Sequence, residues 1–361
     1  MAEAILVYVG TYTFKKSEGI YVYELDPSTG SLKPIGKATG IQNPSFLVID
    51  SRRKHLYSVN ETADFEGKPS GGGVSAFSID PETGKLSFLN TKPSLGMHPC
   101  HVCVDKTGKY VLVTNYSSGS VSVLPTRKDG SLGDATDFVQ HHGSSVNKKR
   151  QEGPHAHSMT LDESNRYAFV ADLGLDKVMI YKFDSDKGKL VPNDEPWAKV
   201  KPGAGPRHFA FHTNGRYAYL INELDSTITA FNYDTERGTL KEIQTVPALP
   251  KDFTGVSHCA DVHVSPSGKF LYGSNRGHDS IVIYAVNEAT GKLSYVGHEP
   301  TQGKTPRNFA IDPEGNLLLA ANQDTDTIVP LKINQQTGQL KATGKVTKVP
   351  TPVCLKMIRF S

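Results

Sequence analysis

The sequence predicts an all-β fold, a seven-bladed β-propeller with four antiparallel strands per blade. Three observations predict it. One hairpin pattern recurs at a constant internal spacing, two further strand signals separate each copy from the next, and the last copy is divided between the chain ends.

The clearest hairpin opens at Gly205-Pro206-Arg207-His208. Phe209-Ala210-Phe211 and Tyr217-Ala218-Tyr219-Leu220-Ile221, rich in aromatic and β-branched residues, flank a turn at His212-Thr213-Asn214-Gly215, where Gly tolerates positive φ. Pro206 and Asn222 frame it sixteen residues apart, and the same frame fits Pro44 and Asn60, Pro99 and Asn115, Ala156 and Asp172, Cys259 and Asn275, and Pro306 and Asn322. Successive starts, continued to Pro352, lie 55, 57, 50, 53, 47 and 46 residues apart. Rigid hairpins joined by variable connections are the mark of a repeat architecture. Between copies come a run such as Gly73-Val74-Ser75-Ala76-Phe77-Ser78-Ile79 and a turn such as Asp80-Pro81-Glu82-Thr83-Gly84. The turn returns at Asp26-Pro27-Ser28-Thr29-Gly30, Asp234-Thr235-Glu236-Arg237-Gly238 and Asn287-Glu288-Ala289-Thr290-Gly291. Four strands in roughly fifty residues make one propeller blade.

The seventh blade is assembled from both termini. Thr351-Pro352-Val353-Cys354-Leu355-Lys356-Met357-Ile358 matches a first strand with no second after it. Ala4-Ile5-Leu6-Val7-Tyr8-Val9-Gly10-Thr11 matches a second strand with no first before it. Pairing the C-terminal strand with the N-terminal strands closes the ring and removes the open edges that invite aggregation. No Pro/Gly/Ser-rich linker divides the chain, so residues 1–361 are expected to form a single domain.

Composition excludes several classes of function. A net charge of +3 with Lys and Arg scattered gives no footprint for nucleic acid or an anionic membrane. The one basic run, Lys148-Lys149-Arg150, reads as a solvated loop, and the connection around it, residues 141–152, fits either a lid or a plain surface loop. No stretch of eighteen apolar residues exists, and the N-terminus reads as a strand rather than a signal peptide. A cytoplasmic protein, monomeric or weakly homo-oligomeric, is expected. Cys100 and Cys103, three apart on one strand, point to opposite faces and cannot share a metal there. All four cysteines read as buried, reduced thiols.

With the hairpins in one orientation, the first two positions and the last two of every copy converge on one mouth around the axis. The sixteenth position is Asn in five copies, which fits a capping role. Position seventeen breaks the repeat with Thr11, Glu61, Tyr116, Leu173, Glu223, Arg276 and Gln323. Blades three to six are therefore expected to carry the site, with His155, His157, Arg207, His208, Glu223, His258, Asp261, Arg276, Arg307 and Asn308, and His101 adds a further imidazole. Arg207 and Glu223 should be neighbours at one end of their hairpin. Three arginines from neighbouring blades suit an anionic substrate and negative charge developing on a carbonyl oxygen. His157 and Glu223 could hold or deprotonate a water. His155-Ala156-His157 also raises zinc, but further ligands are not evident. No Gly-x-Ser-x-Gly elbow and no phosphate-binding glycine loop is present; a small anion, a polarised carbonyl, an activated water and no cofactor together suggest hydrolysis of a lactone or similar ester. A non-catalytic binding propeller is the reading from another class, and it predicts exposed aromatics at the mouth where this chain carries charge.

The residues also carry a resemblance. Gly153-Pro154-His155-Ala156-His157-Ser158, Gly205-Pro206-Arg207-His208, Asn222-Glu223-Leu224, Ser274-Asn275-Arg276 and Thr305-Pro306-Arg307-Asn308-Phe309-Ala310 resemble the seven-bladed propeller lactonase family, as does the opening Tyr8-Val9-Gly10-Thr11-Tyr12. That family includes bacterial 6-phosphogluconolactonases and fungal 3-carboxy-cis,cis-muconate lactonizing enzymes. The resemblance implies hydrolysis of a small anionic sugar lactone, foremost 6-phosphogluconolactone in the pentose phosphate pathway, with the lactonizing cycloisomerase as the alternative. It implies catalytic roles for Arg207, Glu223 and Arg276, and for His157 or His155. Substrate contacts are expected from His101, His155, His208, His258, Asp261, Arg307 and Asn308. It implies no metal or organic cofactor.

Overall fold

The computed structural model describes residues 4–67 and 71–360, whose strands form seven antiparallel sheets in a ring. Blade four shows the pattern, with strands Pro206–Phe211, Tyr217–Asn222, Thr227–Asp234 and Thr239–Pro247 paired in sequence order. The first strand of every blade touches the first strands of its neighbours, so these strands line the axis. The second strand, Tyr217–Asn222, is buried along its whole length, whereas the outermost strand is largely exposed or half-buried. Burial is therefore greatest at the second strand and falls toward the outer edge of the blade.

Closure follows the expectation from the termini. Pro352–Phe360 pairs antiparallel with Ala4–Thr11, from Ala4 opposite Phe360 to Gly10 opposite Cys354. Gly19–Leu25 and Leu32–Thr39 complete the sheet.

Between blades three and four the second strand of one packs on the first and third strands of the next. Phe169 of blade three stacks on Phe209 of blade four at 5.6 Å, and Tyr233 and Phe211 meet Phe169 edge-on. Each such pair contributes about 0.5–1.5 kcal/mol beyond simple burial. The recurring Thr-Gly turn has a related use. Tyr8 donates its hydroxyl to the Gly84 carbonyl of the next blade at 2.8 Å, and Tyr219 does the same to Gly291 at 3.1 Å. Both glycines have φ of +69°, and a Cβ on Gly291 would lie 2.4 Å from the Tyr217 ring. Only glycine combines that backbone with so close an approach.

One feature was not legible in the sequence. Pro206 pairs with Asn222 but His208 pairs with Ile221, which leaves Arg207 as the extra residue of a β-bulge. The same slip falls at Cys100, His157 and Arg307, at Val353 in the closing blade, and at Ala260-Asp261 in blade five. A bulge turns its extra side chain out of the sheet's alternation. In these six blades it turns the residue at position one, and in blade five also Asp261, out of that alternation, at the end where the chain enters each first strand. Cys100, Cys259 and Cys354 are buried, Cys103 is only half-buried, and all four are free. Among the described residues no helix is long and apolar enough to cross a membrane.

Candidate active site

The bulges open onto a cavity of about 310 Å³, at the small end of the ~300–1,000 Å³ typical of ligand pockets. Five expected residues line it: His157, Glu223, His258, Arg276 and Arg307. Arg207 lies directly beneath, 1 % exposed.

Glu223 organises the cavity. Its Oε2 accepts from Arg207 Nε at 2.9 Å and lies 2.9 Å from Arg276 Nη2, and its Oε1 accepts from Arg150 Nη2 at 2.6 Å. Three guanidiniums from different parts of the ring thus converge on one carboxylate. Burial alone would raise the carboxyl pKa, but Arg276 and Arg207, with His157 and Arg150, hold it well below the usual range. Glu223 is an anion at any physiological pH, which makes it a weak proton acceptor. Arg207 also donates to the Ala260 carbonyl and to His208 Nε2. Burial, with Arg276 and Arg307 nearby, lowers its pKa to about 10, so it keeps its charge at neutral pH. Arg276 also donates from Nε to the His258 carbonyl and from Nη2 to the Cys259 carbonyl.

His157 faces the cavity and is 4 % exposed. Burial, reinforced by Arg207 and His208, pushes its pKa well below 6.5, so the ring is a neutral imidazole at pH 7. Its Nδ1 lies 3.9 Å from the Cys100 sulfur, and burial pushes that thiol up to about 12. Cys100 is therefore a thiol rather than a nucleophilic thiolate. On the far wall the Arg307 guanidinium lies over the Tyr12 ring, 5.5 Å from its centroid. Tyr12 donates to Glu61 Oε2 at 2.9 Å, and Ser45 donates to the same oxygen.

A family model described as "Lactonase, 7-bladed beta-propeller" matches residues 6–357. The chain belongs to this family. Among lactonase-family relatives, a protein of Bacillus subtilis named 6-phosphogluconolactonase is 39% identical over 97% of each chain. Of solved structures, a putative 6-phosphogluconolactonase from Bacteroides fragilis superposes with a TM-score of 0.92 at 38% identity, covering 99% of this chain and 98% of that one. A periplasmic gluconolactonase from Pseudomonas aeruginosa superposes with a TM-score of 0.93 at 34% identity, covering 99% of this chain and all of that one.

Within this lactonase-family propeller, five of the expected contact residues stand back from the cavity. His208 Nδ1 bonds Asp261 Oδ1 at 2.7 Å, Asp261 Oδ2 bonds His263 Nε2 at 2.9 Å, and Asn308 donates to the same carboxylate. Asn308 in turn accepts from the Leu355 amide at 2.6 Å. Burial and Arg207 bring the His208 pKa down to about 4; His208 is thus neutral, accepting from Arg207 and donating to an ionised Asp261. His101 packs on Phe46 with centroids 4.2 Å apart. His208, Asp261 and Asn308 are buried and His101 is half-buried, and the four form a polar floor under Arg207. They face inward at position two, which the bulge turns away from the mouth. His155 is also displaced, stacked on Tyr116 at 4.6 Å, with Nδ1 against the Tyr116 carbonyl. Of the two candidate imidazoles, only His157 lines the cavity.

Four lining residues were missed: Glu61, Cys100, Tyr116 and Arg150. Restricting the site to blades three to six discarded Glu61 and Tyr116, although both break the repeat at position seventeen. Arg150 belongs to the basic run expected to be solvated. Lys148 and Lys149 are exposed, but Arg150 reaches inward to Glu223 and the Tyr116 hydroxyl. Its loop is pinned to blade three by His141 to Asp172 at 2.6 Å, Ser145 to Asp176 at 2.5 Å and Gln151 to the Leu173 carbonyl at 2.9 Å. Through Arg150 the connection forms part of the cavity wall, and its length was the only signal of that use.

Proposed function

We propose that the protein hydrolyses a small anionic sugar lactone, foremost 6-phosphogluconolactone, to the open-chain acid. The observation that carries this reading is the cavity's make-up: four guanidiniums against the carboxylates of Glu61 and Glu223, beside the neutral imidazole of His157. The names of the Bacillus and Bacteroides relatives support the same substrate class. In the proposed reaction His157 takes a proton from water as the oxygen adds to the lactone carbonyl carbon. The tetrahedral oxyanion forms against the Arg276 guanidinium, which its anchoring to Glu223 holds in place beforehand. The ring C–O bond then breaks, and the departing alkoxide takes the proton back from His157. Glu223 positions the arginines rather than serving as the base. Arg207 lies behind them and adds positive potential. The reaction belongs to the pentose phosphate route of carbohydrate metabolism and needs no bound cofactor, and we place the protein in the cytoplasm.

The test is a coupled assay with freshly prepared 6-phosphogluconolactone and a 6-phosphogluconate dehydrogenase, subtracting spontaneous hydrolysis. The expected result is an enzyme-dependent rate proportional to protein added. No rate above the spontaneous one on phosphorylated or unphosphorylated lactones would overturn the reading. Conversion of a carboxymuconate in the same preparation would move the assignment to the cycloisomerase.

A further inference from the structure

The four cavity arginines are not equivalent. Arg207, Arg276 and Arg150 each contact Glu223 at 2.9, 2.9 and 2.6 Å. Arg207 and Arg276 add backbone carbonyls, and Arg150 adds the Tyr116 hydroxyl. Arg307 is different. Among the described residues no carboxylate lies within 4.0 Å of its guanidinium, and that guanidinium donates no hydrogen bond to the protein; its one close partner is the face of the Tyr12 ring. Yet it lines both the cavity and the narrow recess beneath it. A guanidinium with all five N–H groups uncommitted is a strong attractor for an oxyanion. Tyr12 is in turn held by Glu61, so the platform under Arg307 is fixed before any ligand arrives.

From this we infer that Arg307 is the specificity-determining residue of the cavity, its fork engaging the phosphomonoester of the substrate while the arginines on Glu223 stay with the lactone carbonyl. The inference rests on the lactonase reading. It also explains how a cavity of this family could discriminate between phosphorylated and plain sugar lactones, since loss of one uncommitted cation would remove phosphate recognition and leave the Glu223 cluster whole. Charge alone is insufficient in this account. Lysine at 307 restores a point charge but loses the planar fork and the stack on Tyr12.

Two measurements test it. In steady state, kcat/KM is compared for 6-phosphogluconolactone and glucono-δ-lactone in the wild type, Arg307→Gln and Arg307→Lys. The ratio of the two values should fall tenfold or more in Arg307→Gln, through KM for the phosphorylated substrate, with Arg307→Lys between; a smaller change overturns the inference. In calorimetric titration, 6-phosphogluconate should bind the wild type at least tenfold more tightly than Arg307→Gln, and equal affinity overturns it. Because titration needs no turnover, it decides the anion site even if no lactone is hydrolysed, in which case the lactonase reading fails separately. Arg307 makes no hydrogen bond to the protein, so the melting temperature of Arg307→Gln, measured as a control, should stay close to wild type.

Discussion

Replacing Glu223 by Gln removes the one negative charge on which three guanidiniums converge. The loss is greatest at Arg207, whose pair with Glu223 is almost fully withdrawn from water, with side chains 2% and 7% exposed. Removing one partner of a buried pair costs about 3–5 kcal/mol, because the remaining charge stays buried without compensation. An unfolding entropy of about 2.1 cal/mol/K per residue over 361 residues gives about 0.8 kcal/mol/K. The melting temperature should therefore fall by about 4–7 °C at neutral pH. The sign with pH follows from the depressed carboxyl pKa. The stabilisation by Glu223 is complete above the ordinary value of 4.5 and is lost as pH falls through the lower folded-state value. The gap between variant and wild type, measured by calorimetry from pH 7 to pH 3, should be full at neutrality and narrow only at the acid end. In Glu223→Gln/Arg276→Gln one of the stranded cations is gone, so the double variant should be less destabilised than the sum of the single changes. A variant that melts within 1 °C of wild type at pH 7 would refute the idea that this carboxylate holds the cluster together.

Two more expectations concern the base and the ring. His157 must be unprotonated to accept a proton, and its pKa is pushed well below 6.5, so kcat/KM should be flat from pH 6.5 to 8 and fall only in more acid solution. His157→Gln should lose at least a hundredfold in kcat and should also lose that acid limb; a limb that persists in the variant assigns it to another group. Removing residues 352–361 should leave Ala4–Thr11 as an open edge over an uncovered core containing Val7, Val9 and Leu319. The truncated chain is expected to aggregate or melt far below wild type, and a stable monomeric product would contradict closure by the C-terminal strand.

How far the sequence revealed this arrangement depended on which physical signal each residue carried. Blade number, strand order and closure were legible because the constant spacing of sixteen and the split final copy report strand pairing directly. Arg207 beside Glu223 was legible too, since antiparallel pairing brings the two ends of a hairpin together. The bulge was not. An extra residue in one strand gives the same count between Pro206 and Asn222 as a longer turn would, so spacing alone cannot locate it. That blind spot had consequences: His101, His208, Asp261 and Asn308 were expected at the mouth, whereas the bulge turns position one toward the cavity and leaves position two in the floor. Arg150 was missed for another reason. Its contact with Glu223 spans 73 residues and comes from a loop outside the repeat, so no internal comparison could flag it.

The carboxylate at the centre also bears on which group does the chemistry. Like charges brought together in a cavity repel, and three guanidiniums would spread or shed protons without an anion among them. Glu223, with Arg207 and Arg276 on one oxygen and Arg150 on the other, fixes their directions before substrate enters. The same contacts that make it a good anchor make it a poor base, because a proton on Glu223 would have to displace at least one guanidinium. Proton transfer therefore falls to His157, an imidazole at the cavity wall that is neutral and has no carboxylate bonded to it. The ring geometry keeps the two tasks apart: His157 comes from blade three, while the arginines around Glu223 come from blades four and five and the loop before His157. A change to either task can then be made at its own blade.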